Sequence, residues 1–287
     1  MIEINSLQYQ KLDYKGLQTL VRWAEEEGWN PGPYDAEVYW ATDPDGYYGY
    51  FHNGELIAGG SIVSYNQEFG FMGFFIVKPE HRATGIGRKL WHERRDALRN
   101  RLHPNATIGM DGVVDMQGFY QKGGFVIAYK DERYERIGEQ FTINSNISAI
   151  ADEDIAAILE YDKQCFGFSR PQFLLPWLKM PESTTFKYIA DGKLLGFAIV
   201  RKANVGHKVC PVFADTPKIA EELYKACLNS VVGEPLYLDI PMVNSAAIDL
   251  VKKYKAKYVF ECARMYLGIP PKVDTNKIYG ITTFELG

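Results

Sequence analysis

Between Glu68 and Leu102 the chain reads EFGFMGFFIVKPEHRATGIGRKLWHERRDALRNRL, and the residues there that could do chemistry are Arg82-Ala83-Thr84-Gly85-Ile86-Gly87. Two glycines one residue apart, just ahead of a helical pattern, describe an anion site. The first turn of a helix leaves N–H groups unpaired and carries the positive end of the helix dipole, and glycine removes side chains that would hold a phosphate away. The elements that must position this loop are legible on either side. Phe69 to Val77 is an apolar run short enough for a buried strand and broken by two glycines, and Lys78-Pro79-Glu80 turns it. After the loop, Leu90, Trp91, Arg94, Leu98 and Leu102 recur at helical spacing. The spacing is not that of the P-loop, which needs Lys-Ser or Lys-Thr after its last glycine. Nor is it the dinucleotide fingerprint, whose three glycines directly follow the strand.

Composition narrows what such a loop could serve. The chain has 287 residues, 46% of them apolar, enough for two domains with proper cores. No apolar stretch approaches the ~20 residues of a membrane helix, and MIEINSLQYQ lacks a basic segment followed by an apolar one, so a cytoplasmic protein is expected. The four cysteines, Cys165, Cys210, Cys227 and Cys262, are far apart in apolar surroundings and read as reduced core residues; no metal site is expected. A formal charge of −4 argues against nucleic acid as the main partner and is compatible with a cationic amine substrate.

Taken in order, Tyr14 to Glu27 reads as a helix stopped by Gly28-Trp29-Asn30-Pro31-Gly32-Pro33, and Tyr34 to Thr42 as a second helix. Tyr47 to Phe51 and Glu55 to Tyr65 read as a hairpin turned by Asn53-Gly54. Ala106 to Met110 is expected to be a strand ending at Asp111-Gly112. Met116 to Lys122 follows as a short helix, and Val126 to Lys130 as a strand. A polar linker, 137–146, separates this from a weak repetition of the same order: helix Asp152 to Cys165, a hairpin at Asp191-Gly192, strand Lys208 to Phe213, helix Lys218 to Leu228, strand Leu236 to Ile240 and helix Ser245 to Tyr254.

Arg82, Gly85 and Gly87 fill every fixed position of motif A of the GNAT superfamily of N-acetyltransferases, which the strand, loop and helix order resembles. Phe119-Tyr120, three residues, Gly124-Phe125 resembles motif B of the same superfamily, although Val113 and Met116 stand where Asn and Ala are usual. The resemblance implies an α/β fold of the α+β kind: two tandem GNAT-like domains, each a central mixed, mostly antiparallel sheet flanked by helices. The first, residues 1–140, would carry the acetyl-CoA motif. The second, residues 145–287, is degenerate: its loop Ala214-Asp215-Thr216-Pro217 has no Arg and no glycines, and Val251 stands where the motif B Tyr would fall.

By the same resemblance the pantetheine arm of acetyl-CoA would pair with Phe75, Ile76 and Val77, one of whose N–H groups would stabilise the oxyanion. Arg82, Ala83, Thr84, Gly85, Ile86, Gly87 and Arg88 would cradle the pyrophosphate. Lys89, Arg94 and Arg95 would meet further phosphates or form a solvated face. Tyr120 is the candidate acid for the departing thiolate. An alkyl amine, mostly protonated at neutral pH, also needs a base. Asp111 is the leading candidate, with Glu68, Asp35 and Glu37 also open. The implied activity is acetyl-CoA-dependent N-acetyl transfer to a primary amine, the bulk of a second domain favouring a small molecule. A non-catalytic acyl-CoA sensor and an acyltransferase with another acyl donor are the alternatives, and oligomeric state is undetermined.

Overall fold

The computed structural model describes residues 6–287; Met1–Asn5, part of the N-terminal stretch read above, lie outside the described residues. The first half runs β1 (Gln8–Lys11), α1 (Tyr14–Glu26), α2 (Asp35–Thr42), β2 (Tyr47–His52), β3 (Glu55–Tyr65), β4 (Phe69–Val77), α3 (Ile86–Arg99), β5 (Thr107–Val113), α4 (Val114–Lys122) and β6 (Val126–Ile137). The second runs β7 (Ile147–Ser148), α5 (Ile155–Phe166), α6 (Pro171–Leu178), β8 (Ser183–Ala190), β9 (Lys193–Lys202), β10 (His207–Ala214), α7 (Pro217–Asn229), β11 (Pro235–Pro241), α8 (Ser245–Lys253), β12 (Lys257–Leu267) and β13 (Ile278–Gly280). Local chemistry accounts for much of this. Asp13 caps α1 by accepting from Gly16 N at 2.8 Å, and Leu17, Leu20, Trp23 and Ala24 form its buried stripe. Asn53-Gly54 and Asp191-Gly192 both turn their hairpins with two residues at positive φ, as a two-residue loop of this kind requires.

The strands form one sheet in the order β1-β2-β3-β4-β5-β12-β6-β11-β10-β9-β8-β7, with β13 beside β10. The halves have exchanged their last long strands: β12 lies between β5 and β6, and β6 lies between β12 and β11. The pairing of β6 with β12 is two-fold symmetric. Val126 faces Tyr266 at one end, Glu135 faces Lys257 at the other, and one residue of each strand, Ala128 and Val259, bulges out of register. Two buried ion pairs repeat the symmetry. Arg264 of β12 holds Asp111 of β5 at 2.7 and 2.9 Å, and Arg133 of β6 holds Asp239 of β11 at 2.6 and 2.8 Å.

Helices α1, α2, α5 and α6 share one apolar core on one face of the sheet, whereas α3 with α4 and α7 with α8 build separate cores. Several expectations shift here. β5 runs through Asp111 and Gly112 to Val113 because β12 supplies partners there, and β6 runs to Ile137 because it has a neighbour on each side. Leu102 lies beyond the end of α3. The polar linker is not free: Phe141 N donates to Asn229 Oδ1 at 2.6 Å and Asn144 N to Glu222 Oε2 at 2.8 Å. No helix of the described residues is long and apolar enough to cross a membrane.

Because each half completes the other's sheet, denaturant should unfold the chain in one transition. Tryptophan fluorescence and far-ultraviolet circular dichroism are expected to give coincident midpoints, and residues 1–140 expressed alone should fail to give a folded monomer.

Candidate functional site

The site begins where two parallel strands part. β4 and β5 pair from Phe69 with Thr107 to Met72 with Met110, and beyond that point β5 keeps only β12, its partner on the other edge from Ile108 to Val113. A bulge in β4 coincides with the parting: Ser61 faces Gly73 and Gly59 faces Ile76, so Phe74 and Phe75 together oppose Gly60. Phe74 takes φ 47°, a left-handed conformation that costs an ordinary side chain roughly 1–3 kcal/mol and bends the strand. Arg94 braces the bulge. Fully buried, it donates through Nη2 to Ser61 O and, at 2.7 Å, to Gly73 O, and a Cβ on Gly60 would overlap its guanidinium. Arg94 is therefore no phosphate ligand and no part of a solvated face.

Past Val77 the chain makes a single 3-10 turn and enters the glycine loop, where Ala83 (φ 61°) and Gly85 (φ 91°) are both left-handed and Gly85 caps α3. Residues 82–85 are exposed, as is Arg88, and the N–H groups of the first turn of α3 have no intrahelical acceptor. Ile86 is buried, and a Cβ on Gly87 would lie 3.2 Å from Val77 Cγ2 and 3.4 Å from Phe75 Cζ, so glycine keeps the helix end close to β4. Arg82 is occupied: Nε donates to Val77 O at 2.9 Å and Nη2 to Glu27. Thr84 Oγ1 donates to His81 O at 2.7 Å. The arrangement fits a pyrophosphate bound through backbone N–H groups, with Arg82 fixing the loop.

The parted strands open into a cavity of about 70 Å³. On the α3 side it is lined by Phe75, Trp91, Arg94, Met116 and Tyr120. Tyr120 is buried, its ring 6.4 Å from Phe75 and stacked on Trp91 at 6.2 Å. Burial pushes its phenol up, with Arg94 pulling partly back, so at neutral pH it keeps its proton. On the other side the wall is Trp29, Arg133, Phe260, Cys262, Phe284 and Glu285. Only Trp29 of these belongs to a segment that the sequence marked. The others reach the cavity through the strand exchange and the C-terminal tail, and no local motif announces them. The apolar run in KYVFECARMYL was the available signal for β12.

The proposed bases fare differently. Asp111 lines the cavity, but in mid-strand rather than at a strand end, with both carboxylate oxygens on Arg264. Asp35 is buried against Arg201 at 2.8 Å and accepts from Gly32 N. Glu37 and Glu68 are exposed, and Glu68 lies at the far end of β4. Asp131 is fully buried opposite Cys262 on the two-fold axis of the β6–β12 pair, and neither of its oxygens has a partner. Burial and the Asp111 charge hold it well above the ordinary carboxylate range. Among the described residues no group of His, Cys, Asp or Glu is placed to hold a metal ion.

The second half has a counterpart cleft, and it is filled. β10 pairs with β11 from His207 with Leu236 to Val209 with Leu238, then bulges. There β13 takes the open edge, Gly280 facing Val212 and Ile278 facing Phe213, while Ile281 N donates to Asp239 O at 2.8 Å.

Two family models match the chain: an acetyltransferase (GNAT) family over residues 14–125 and an acetyltransferase (GNAT) domain over residues 158–280. A holothin acyltransferase from Pseudoalteromonas sp. (strain SANK 73390) is 28% identical over 272 residues, 94% of this chain and 91% of the relative. Among solved structures, a candidate acetyltransferase from Pyrococcus horikoshii matches with TM-score 0.84 and 24% identity, covering 100% of this chain and 98% of its own. A tandem GNAT protein from the clavulanic acid biosynthesis pathway matches with TM-score 0.64 and 13% identity, covering 93% and 99%.

The Asp131 environment gives a signed expectation. A carboxyl whose folded pKa is raised contributes stability that is present below the ordinary carboxylate range and is lost as pH rises through the folded value. Asp131→Asn should therefore match the wild type near pH 4 and melt higher at alkaline pH, by roughly 2–4 °C for each kcal/mol relieved, as thermal scans across pH would read.

Proposed function

The chain belongs to the GNAT acetyltransferase superfamily, and on that footing we propose that it transfers an acetyl group from acetyl-CoA to a primary amine on a small molecule, by direct attack within one ternary complex. The observation that carries this is the continuity of the site: a β4 edge freed by a bulge, a glycine-started helix at its end, and a protonated tyrosine where the edge opens into the cavity. The acyl thioester supplies the electrophilic carbonyl when bound. The freed backbone of Phe75, Ile76 and Val77 would hold the pantetheine arm as an added strand. An N–H there, aimed at the carbonyl oxygen, is worth roughly 2.7–4 kcal/mol to the developing oxyanion. Ala83 to Arg88 would hold the pyrophosphate through N–H groups, and Tyr120 would give its proton to the departing sulfur.

Residues 1–140 would then carry the cofactor site. Residues 145–287 would complete the sheet and wall the acceptor end. The occupation of the second cleft by β13 supports one acyl-CoA per chain. Similarity to a protein named for acyl transfer to holothin supports a discrete molecule as acceptor. Four buried, unpaired cysteines support the cytoplasm as the compartment.

Calorimetric titration with acetyl-CoA should give one site per chain. Arg88→Glu puts a negative charge in the exposed first turn of α3, which favours the helix but opposes a phosphate. It should keep the thermal midpoint while weakening acetyl-CoA about 100-fold, a loss of roughly 2.7 kcal/mol. Tyr120→Phe should lower kcat by about 10²-fold in steady-state thiol-release assays with little change in the KM for acetyl-CoA.

A further inference from the structure

The acyl-transfer reading leaves the amine proton without a destination, and the C-terminal tail supplies one. Behind β13 the chain crosses the sheet face toward β4. Tyr65 Oη donates to Leu286 O at 2.9 Å and Arg170 Nη1 to Gly287 O at 2.7 Å, so the segment is anchored on both sides of Glu285 by these bonds and by Ile281 N. Gly73 is the reason it can come so close, because a Cβ there would overlap the backbone oxygen of Glu285. Glu285 is thereby placed in the cavity wall at the bulge itself, next to the backbone proposed above for the oxyanion.

Of the two carboxylates lining the cavity, only this one has an oxygen to offer. Asp111 is held at both oxygens by Arg264. Glu285 accepts at Oε2 from the hydroxyls of Thr283 and, at 3.4 Å, Tyr39, while Oε1 has no protein donor among the described residues. Around it the wall is apolar and aromatic, with Trp29, Phe74, Phe260 and Phe284, and the cation Arg133 is neutralised by Asp239. We propose, resting on the acyl-CoA reading above, that Glu285 is the general base of the reaction and that its acceptor is a small primary amine carried on a flat apolar ring. The amine nitrogen bonds to the thioester carbonyl carbon, the carbon–sulfur bond breaks, Glu285 Oε1 takes the proton from nitrogen, and the sulfur receives one from Tyr120.

The charged and titratable groups that face Glu285 are Asp35 and Tyr39 from α2, Asp111 from β5, Arg133 from β6, Arg201 from β9 and Lys208 from β10. Of these, two titrate within reach of an assay: burial pushes Asp111 up to about 6, and burial with the Arg133 and Arg201 charges pushes Lys208 down to about 8.

The test uses the full chain with acetyl-CoA and, as probes, benzylamine, 2-phenylethylamine and 3-aminopyridine, with hexylamine as the ring-free contrast, following thiol release between about pH 6 and 9. The proposal expects ring-bearing amines to exceed hexylamine by roughly tenfold or more in kcat/KM. Glu285→Gln should lose about 10²-fold in kcat, keep the KM for acetyl-CoA, and be partly rescued by Glu285→Asp. Two results overturn it: Glu285→Gln, folded by circular dichroism, retaining the wild-type rate, or a wild type that binds acetyl-CoA by calorimetry yet acetylates none of the ring-bearing probes. A chain that binds no acetyl-CoA overturns the underlying reading, and this proposal with it.

Discussion

The reciprocal exchange of β6 and β12 is the constraint on which the rest of the molecule depends. It joins two sheets into one and fixes their register by a device repeated about the two-fold axis. Arg264 crosses from the second half to Asp111 of the first, and Arg133 crosses from the first to Asp239 of the second. A one-residue slip of either strand would strand a buried arginine and a buried aspartate. Breaking such a pair costs about 3–5 kcal/mol, far more than the intact pair returns over an apolar alternative, so its effect is to select one register rather than to add stability. Asp131 and Cys262 meet on the axis between the two ion pairs. Burial at that position, with the Asp111 charge nearby, holds the carboxyl well above the ordinary carboxylate range.

From this frame the two clefts diverge. Both halves part a parallel strand pair behind a bulge, at Phe74 in β4 and between Val209 and Val212 in β10. The first keeps its edge open and follows it with a loop of left-handed residues and a glycine-capped helix. The second follows its edge with Thr216 and Pro217, which cap α7 through a side chain and leave nothing for a phosphate to approach, and it seats β13 on the edge instead. The tail that closes the second cleft goes on to wall the first. One segment thus fills the second cleft and walls the cavity of the first.

How much of this was legible depended on sequence separation. β4, with its ends at Phe69 and Val77, the hairpin at Asn53-Gly54 and the glycine-started α3 were all readable, because alternation, turn chemistry and helix capping are local. Asp111 was legible as a residue near the cleft but not as the partner of Arg264, 153 positions away. Arg94 carried the wrong sign of expectation, since a charged residue in a basic helix seldom lies wholly buried, and only Gly60 and the bulge opposite it make room. The far wall of the cavity was illegible for the same reason: Arg133 and Phe260 arrive through the strand exchange and Glu285 on the C-terminal tail, and nothing in their neighbourhoods along the chain marks them.

The most direct test of the account is amide hydrogen–deuterium exchange with and without acetyl-CoA, because it reads each cleft separately in the intact chain. The account predicts slowed exchange at Phe75 to Val77 and at Ala83 to Arg88, with no change at Val209 to Ile219. Protection in the latter segment, or none in the glycine loop, would contradict it.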